Sequence, residues 1–154
     1  MDWHLFLNSE KFWVHFLSSK YYRGKPFSEA TYSNTYSWLW KGILKCKDLV
    51  IKGTCFVVGD GLSIDLWKDP WIPNLQGFRP RLRGERRMDV NLVSDLILPL
   101  TNQWNIDKVS TLFEPADVPK ILRIHFASSG RPGLLMWMAT NSGEFSIQSA
   151  YSLD

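Results

Sequence analysis

Cysteine is scarce, with Cys46 and Cys55 the two present in 154 residues. Two thiols cannot build the disulfide framework of a small secreted domain, so a reducing, intracellular setting, cytoplasm or nucleus, is the expectation. Eight residues separate them, which is not the spacing of a zinc knuckle. Histidine is equally rare: His4, His15 and His125 stand far apart, and a lone helical His such as His15 is expected at a core or its rim. No apolar run approaches the roughly 18 residues of a membrane span, and the N-terminus lacks the apolar core of a signal peptide. No membrane partner is therefore expected. Gly59-Asp60-Gly61 lacks the following helix and lysine of a phosphate-cradling loop, and neither cysteine has a histidine near it in sequence to serve as a base. Asp60, Asp65 and Asp69 could suggest a carboxylate pair for Mg²⁺. However, Asp60 sits at a turn, where aspartate is favoured for backbone reasons, Asp65 lies on a mixed strand face, and Asp69 precedes a proline. The chain is thus read as noncatalytic by itself, with no cofactor, no metal ligand set and no small-molecule substrate.

Aromatic residues are plentiful, with 8 Trp and 9 Phe, while hydrophobic residues at 45% and charged residues at 21% are ordinary for a globular protein. Each buried aromatic hides about 150–250 Å², so a few can anchor a core built on short elements. The chain is organised around residues 53–73. Two runs of β-branched and aromatic residues, Thr54–Val58 and Ser63–Trp67, flank Gly59-Asp60-Gly61, and an Asp-Gly pair between such runs predicts a hairpin whose turn needs positive φ at glycine. In the second run Ile64 and Leu66 point one way and Ser63, Asp65 and Trp67 the other, so one face is expected to be buried. Asp69-Pro70-Trp71 ends that strand.

The pattern Phe56-x-Val58-Gly59-Asp60-Gly61-x-Ser63-Ile64-x-x-Trp67-x-Asp69-x-Trp71-Ile72-Pro73 resembles a segment of plant LINE-type (non-long-terminal-repeat) retrotransposon polyproteins. Sequences of that family are labelled reverse transcriptase or ribonuclease H protein. The resemblance implies a place after the polymerase and before a small zinc-binding domain and a ribonuclease H domain, with Gly59, Asp60, Gly61, Trp67, Asp69 and Trp71 as structural motif residues. Leu17-Ser-Ser-Lys20-Tyr21, Ser37-Trp38-x-Trp40-x-x-Ile43-Leu44 and Leu49-Val50-x-x-Gly53 are similar to the family as well, as is the series Trp104-Asn105, Val109, Leu112-Phe113 and Ile121-Leu122-x-Ile124. His125 replaces the proline usual there. Trp137-x-x-x-x-Ser142-Gly143-x-Phe145-Ser146-Ile147-x-Ser149-Ala150-Tyr151 resembles the opening of the zinc-binding domain, although Gly133 stands where the family has Asp. The family's Cys and His ligands would fall beyond Asp154, so no zinc is expected on this chain. The chain contains neither the polymerase Asp-Asp pair nor the spread acidic set of a ribonuclease H site.

The expected fold is α+β, with short helices packed around the central aromatic hairpin and a second small hairpin at the C-terminus. Residues 1–50 read as a helical tail. Its first helix falls within 3–22, capped at Asn8-Ser9-Glu10, and its second spans about 34–46, capped by Ser33 or Asn34. Here Trp38 and Trp40 are expected in the core, the alternative being aromatic platforms for single-stranded nucleic acid if they prove exposed beside cations. Residues 51–78 hold the hairpin. Residues 79–130 hold a basic loop and short helices, one of them near 89–97 with Asp89 as its cap, followed by a linker at 126–133. Residues 131–154 pair Leu135–Trp137 with Glu144–Ile147 around Asn141-Ser142-Gly143, the truncated start of the zinc-binding domain.

The basic loop is the candidate binding element. Arg79, Arg81, Arg83, Arg86 and Arg87, with Glu85 as the single acid, give it a local charge of +4 in a chain whose net charge is +3. Such a loop can neutralise phosphates of RNA or an RNA–DNA hybrid by sequence-independent, salt-sensitive contacts. The alternative is an inert structural remnant of a degenerate element, in which the arginines are only solvated.

Overall fold

The computed structural model describes residues 12–23, 25, 27–127 and 130–152, and the protein is α+β. The chain forms two compact units, one made of the residues up to Gly53 together with those from Ala139 onward, the other of Thr54–Met138.

In the first unit, α1 (Phe12–Tyr21) and α2 (Trp38–Gly53) are joined through a 3-10 turn at Phe27–Glu29, and α5 (Ile147–Tyr151) lies near the C-terminus. The expected cap at Asn8-Ser9-Glu10 lies outside the described residues. The second helix starts later and runs further than 34–46. Tyr36 N–H donates to Ser33 O at 3.2 Å, which closes a turn before the helix. Ser37 then takes the capping role, its Oγ accepting from Trp40 N–H at 3.3 Å. Trp40, Ile43, Leu44 and Val50 form the buried face of α2. Trp40 is enclosed by Tyr21, stacked at 4.4 Å, by Tyr22, stacked at 5.9 Å, and by Phe27, edge-on at 5.9 Å, and aromatic pairs of this kind contribute about 0.5–1.5 kcal/mol each beyond their buried area. Half-buried Lys47 donates from Nζ to Ala30 O at 2.6 Å.

The second unit contains β1 (Thr54–Val57), β2 (Ile97–Leu98), β3 (Gln103–Trp104), α3 (Ile106–Leu112), α4 (Val118–Leu122) and β4 (Leu134–Trp137). Its core includes Val58, Ile64, Leu66, Trp71, Ile72, Val93, Leu96, Val109, Phe113 and Ile121. Ile64 and Leu66 are fully buried, as the alternation requires. The pairing is different from the expected one. β1 is antiparallel to β4, with Thr54 opposite Trp137 and Val57 opposite Leu134, whereas 63–67 does not pair with 54–58. The reason is local. Asp65 Oδ1 accepts from Trp67 N–H and Lys68 N–H, both at 2.9 Å, and Asp69 Oδ2 accepts from Asp65 N–H at 2.7 Å. These carboxylates curl 65–69 into a turn, because aspartate side chains compete with a strand ladder for backbone donors. Residues 61–66 instead meet 91–94, through Ser94 N–H to Gly61 O at 3.1 Å, Val93 N–H to Ile64 O at 3.0 Å and Leu66 N–H to Asn91 O at 2.9 Å.

With Leu134–Trp137 committed to β1, residues 144–147 form no strand. Ser146 and Ser149 cap α5 reciprocally instead. Among the described residues the tight hairpin is β2–β3, with Ile97 opposite Trp104 and Asn102 at φ +50° in its turn. The helix expected near 89–97 is a 3-10 turn at Val93–Leu96. Its capping carboxylate is Asp95, which accepts from Asn91 N–H at 2.8 Å and Leu92 N–H at 2.9 Å. The stretch expected as a free linker is tied down where it is described, since Ala127 N–H donates to Val58 O at 2.8 Å and Arg131 O accepts from Asp60 N–H at 2.8 Å. Gly59 is required beside it, because a Cβ there would collide with the Arg131 carbonyl oxygen. Among the described residues, no helix is long and apolar enough to cross a membrane.

Candidate nucleic-acid interface

The arginine loop lies wholly in the second unit, and its first half is stitched to the segment after α3. Arg83 N–H donates to Leu112 O and Glu114 N–H to Arg81 O, both at 3.0 Å. Asp117, fully buried, anchors this seam. Its Oδ2 accepts from Arg81 N–H at 3.0 Å and Arg81 Nε at 3.1 Å, and its Oδ1 accepts from an Arg81 terminal nitrogen at 2.8 Å. This forked, charge-assisted geometry is the strong form of an arginine–carboxylate pair. The hydrogen bonds from Arg81 hold the Asp117 carboxyl below the ordinary carboxylate range, against the opposing effect of burial.

Arg81 is therefore a fastening residue, although its side chain is 66% exposed. Arg79 is partly committed as well, donating from Nε to Lys68 O at 2.7 Å. Arg87 pairs with Asp89 through two nitrogens at 3.0 and 2.7 Å, so Asp89 is an ion-pair partner and caps no helix. Arg86 lies 5.5 Å from the centroid of the Trp67 ring, with a long 3.4 Å hydrogen bond to Asn91. Arg83 is exposed and lines an open groove of about 610 Å³ together with Glu85, Arg87 and Asp107. Three carboxylates from outside the loop, Asp89, Asp107 and Asp117, thus offset much of the charge counted within it. Arg83 and Arg86 are the guanidinium groups least committed to other partners.

Of the motif residues, Trp67 lies under Arg86 of this loop, whereas Gly59, Asp60 and Gly61 sit against 93–94 and 131. Trp67 donates from Nε1 to Val90 O at 2.8 Å and packs against Phe113 at 5.8 Å. Trp71, fully buried, donates from Nε1 to Leu66 O at 3.1 Å and leans on Trp104 at 5.8 Å. Gly61 has φ +72°, the positive value a turn there demands. Asp60 Oδ1 accepts from Leu62 N–H at 3.0 Å. The carboxylates of Asp60, Asp65 and Asp69 are thus spent on backbone N–H groups, and burial raises the Asp69 carboxyl above its ordinary value. Among the described residues, no group of three or more His, Cys, Asp or Glu side chains is arranged to hold a metal ion. Sequence reasoning missed Asp117 and Asp89 as partners of the loop. Asp89 stands two residues from Arg87 and could have been paired by proximity, whereas Asp117 is 36 residues from Arg81 and has no local signal.

The chain is similar to the "Putative ribonuclease H protein" of Arabidopsis thaliana, 27% identical over an alignment of 163 positions that takes in 99% of this chain. It spans a quarter of that relative's length. No protein-family model and no solved structure matches it.

Proposed function

We propose that this chain is a noncatalytic connecting module of a plant LINE-type retroelement polyprotein, from the region between the polymerase and the zinc-binding domain, and that it touches RNA or an RNA–DNA hybrid through Arg83 and Arg86. The observation that supports this most is the similarity of nearly the whole chain to the Arabidopsis protein, whose printed name is a ribonuclease H protein. Because the chain spans only a quarter of that relative, polymerisation and hybrid cleavage belong in this reading to other parts of the polyprotein. The turn duty of Asp60, Asp65 and Asp69 supports a role in which no metal-dependent phosphoryl transfer occurs here. In this reading Arg81 positions the loop by gripping Asp117, while Arg83 and Arg86 meet phosphates.

Titration of an RNA–DNA hybrid across a salt series tests it. Each neutralised phosphate contributes a slope of about −0.9 in log K against log salt on B-form duplex and about −0.7 on a single strand. Replacing Arg83 and Arg86 by Gln is expected to flatten the slope by roughly 1–2, with unfolding unchanged because both side chains are exposed. An unaltered slope, or no binding even at low salt, removes the loop from the interface and leaves an inert scaffold.

A further inference from the structure

The two tryptophans at the start of α2 have opposite fates. Trp40 is 1% exposed and forms the centre of the first unit's aromatic cluster, while Trp38 is 84% exposed. With roughly 100° between successive helical residues, positions 38, 41, 45 and 52 fall on one stripe about 21 Å long, and in this chain they are Trp38, Lys41, Lys45 and Lys52. Gly42, exposed, lies on the same stripe, and a Cβ there would meet nothing within 4 Å, while half-buried Leu49 sits between Lys45 and Lys52. Lys45 and Lys52 are exposed, with no hydrogen-bond or ion-pair partner among the described residues. Lys41 is held at the indole end by Asn34 O at 2.9 Å and lies 5.7 Å from the ring centroid of Tyr32, itself 58% exposed. Asp48, at the stripe's edge, is its acidic neighbour on the helix.

We infer that this stripe is a second nucleic-acid contact, for a single strand, with Trp38 as the stacking platform and Lys45 and Lys52 as the phosphate partners. An exposed aromatic that continues into a row of cations fits both parts of a polynucleotide. Every base has a face that can stack on an indole, and the strand's phosphates complement the lysines. In a duplex the base faces are already stacked, so the platform discriminates against it. The stripe lies on a different compact unit from the arginine loop and does not depend on it.

The test uses a fluorescein-labelled oligouridylate RNA, with the Arg83→Gln/Arg86→Gln chain as the background so that the loop's contribution is already removed. Trp38→Ala is expected to weaken binding by about 5- to 150-fold, with Trp38→Phe retaining most of the affinity. Lys45→Gln/Lys52→Gln is expected to flatten the salt slope by about 1.4, two phosphates at 0.7 each. A hybrid duplex competitor is expected to displace the oligouridylate poorly. Unchanged melting temperature in each variant keeps the comparison clean, and the exposure of all three side chains favours it. Equal affinity of the parent and Trp38→Ala for the RNA overturns the inference. So does a Trp38→Ala phenotype confined to self-association, which would make the indole a protein–protein contact. Loss of the loop's effect alone, with the stripe's intact, would count against the proposed function and leave this inference standing.

Discussion

Gly61 and Gly77 share a backbone conformation but not their surroundings, so alanine at each separates two costs. Their φ values are +72° and +71°. In this left-handed region an L side chain costs about 1–2 kcal/mol, and both substitutions incur that cost. At Gly77 a Cβ would meet nothing within 4 Å. At Gly61 it would lie 2.6 Å from Ser94 N and 3.0 Å from the Val93 carbonyl carbon, beside the hydrogen bond from Ser94 N–H to Gly61 O. Relief there requires backbone movement in a packed core, and overpacking of this kind costs a further ~1–3 kcal/mol. Gly77→Ala is therefore expected to lose about 1–2 kcal/mol and Gly61→Ala about 2–5 kcal/mol. Urea denaturation is the assay. With a slope of about 2 kcal/mol/M, the Gly61→Ala midpoint should fall roughly 0.5–1.5 M below that of Gly77→Ala, with the slope itself unchanged. Coincident midpoints would refute the seating of the 59–61 turn against 93–94.

Two further outcomes follow from ionisation. The Asp117 carboxyl is held below its ordinary range in the folded protein, so its contribution to stability is complete above the unfolded value of about 3.9 and is lost as pH falls through the lowered folded value. Asp117→Asn is expected to melt below the parent at neutral pH, with the gap closing on acidification; a gap of constant size would mean the pair with Arg81 is not ionic. Burial pushes the Cys55 thiol up to about 12, whereas Cys46 is exposed. A thiol reagent should consume a single equivalent from native protein and a second only in denaturant, and two fast equivalents would place Cys55 outside the core.

Much of the fold was legible wherever a pattern was local and one physical cause dominated it. Ile64 and Leu66 alternate and are buried, and Gly61 takes positive φ. Strand pairing was not legible. The Asp-Gly signal between two β-rich runs is shared by a hairpin and by a chain that turns and parts, and the choice here rests on Asp65 and Asp69 capturing backbone donors. An Asp-x-x-x-Asp pair inside a short run was the available clue, since each carboxylate can replace a ladder partner. The edge left open on β1 is filled by Leu134–Trp137, nearly eighty residues later. Gly133 permits that approach, because a Cβ there would lie 2.5 Å from Ile64 Cδ1.

The candidate interface shows the same division between local and distant causes. Summing charge over 79–87 identifies the loop but overstates what it offers to a phosphate, since Asp117 arrives from beyond α3 to occupy Arg81 and Asp89 occupies Arg87. The guanidinium groups left less committed are Arg86 over Trp67 and Arg83 on the lining of the groove. On α2 the error runs the other way. Treating Trp38 and Trp40 as one packing pair hides the fact that residues two apart on a helix point roughly 200° away from each other, so a core that claims Trp40 must turn Trp38 outward. Periodicity counted from Trp40 alone places Ile43 and Leu44 inside and sets Trp38 in line with Lys45 and Lys52. The cationic stripe was therefore implicit in the sequence once one tryptophan was assigned to the core, and the stacking of Tyr21 on Trp40 makes that assignment.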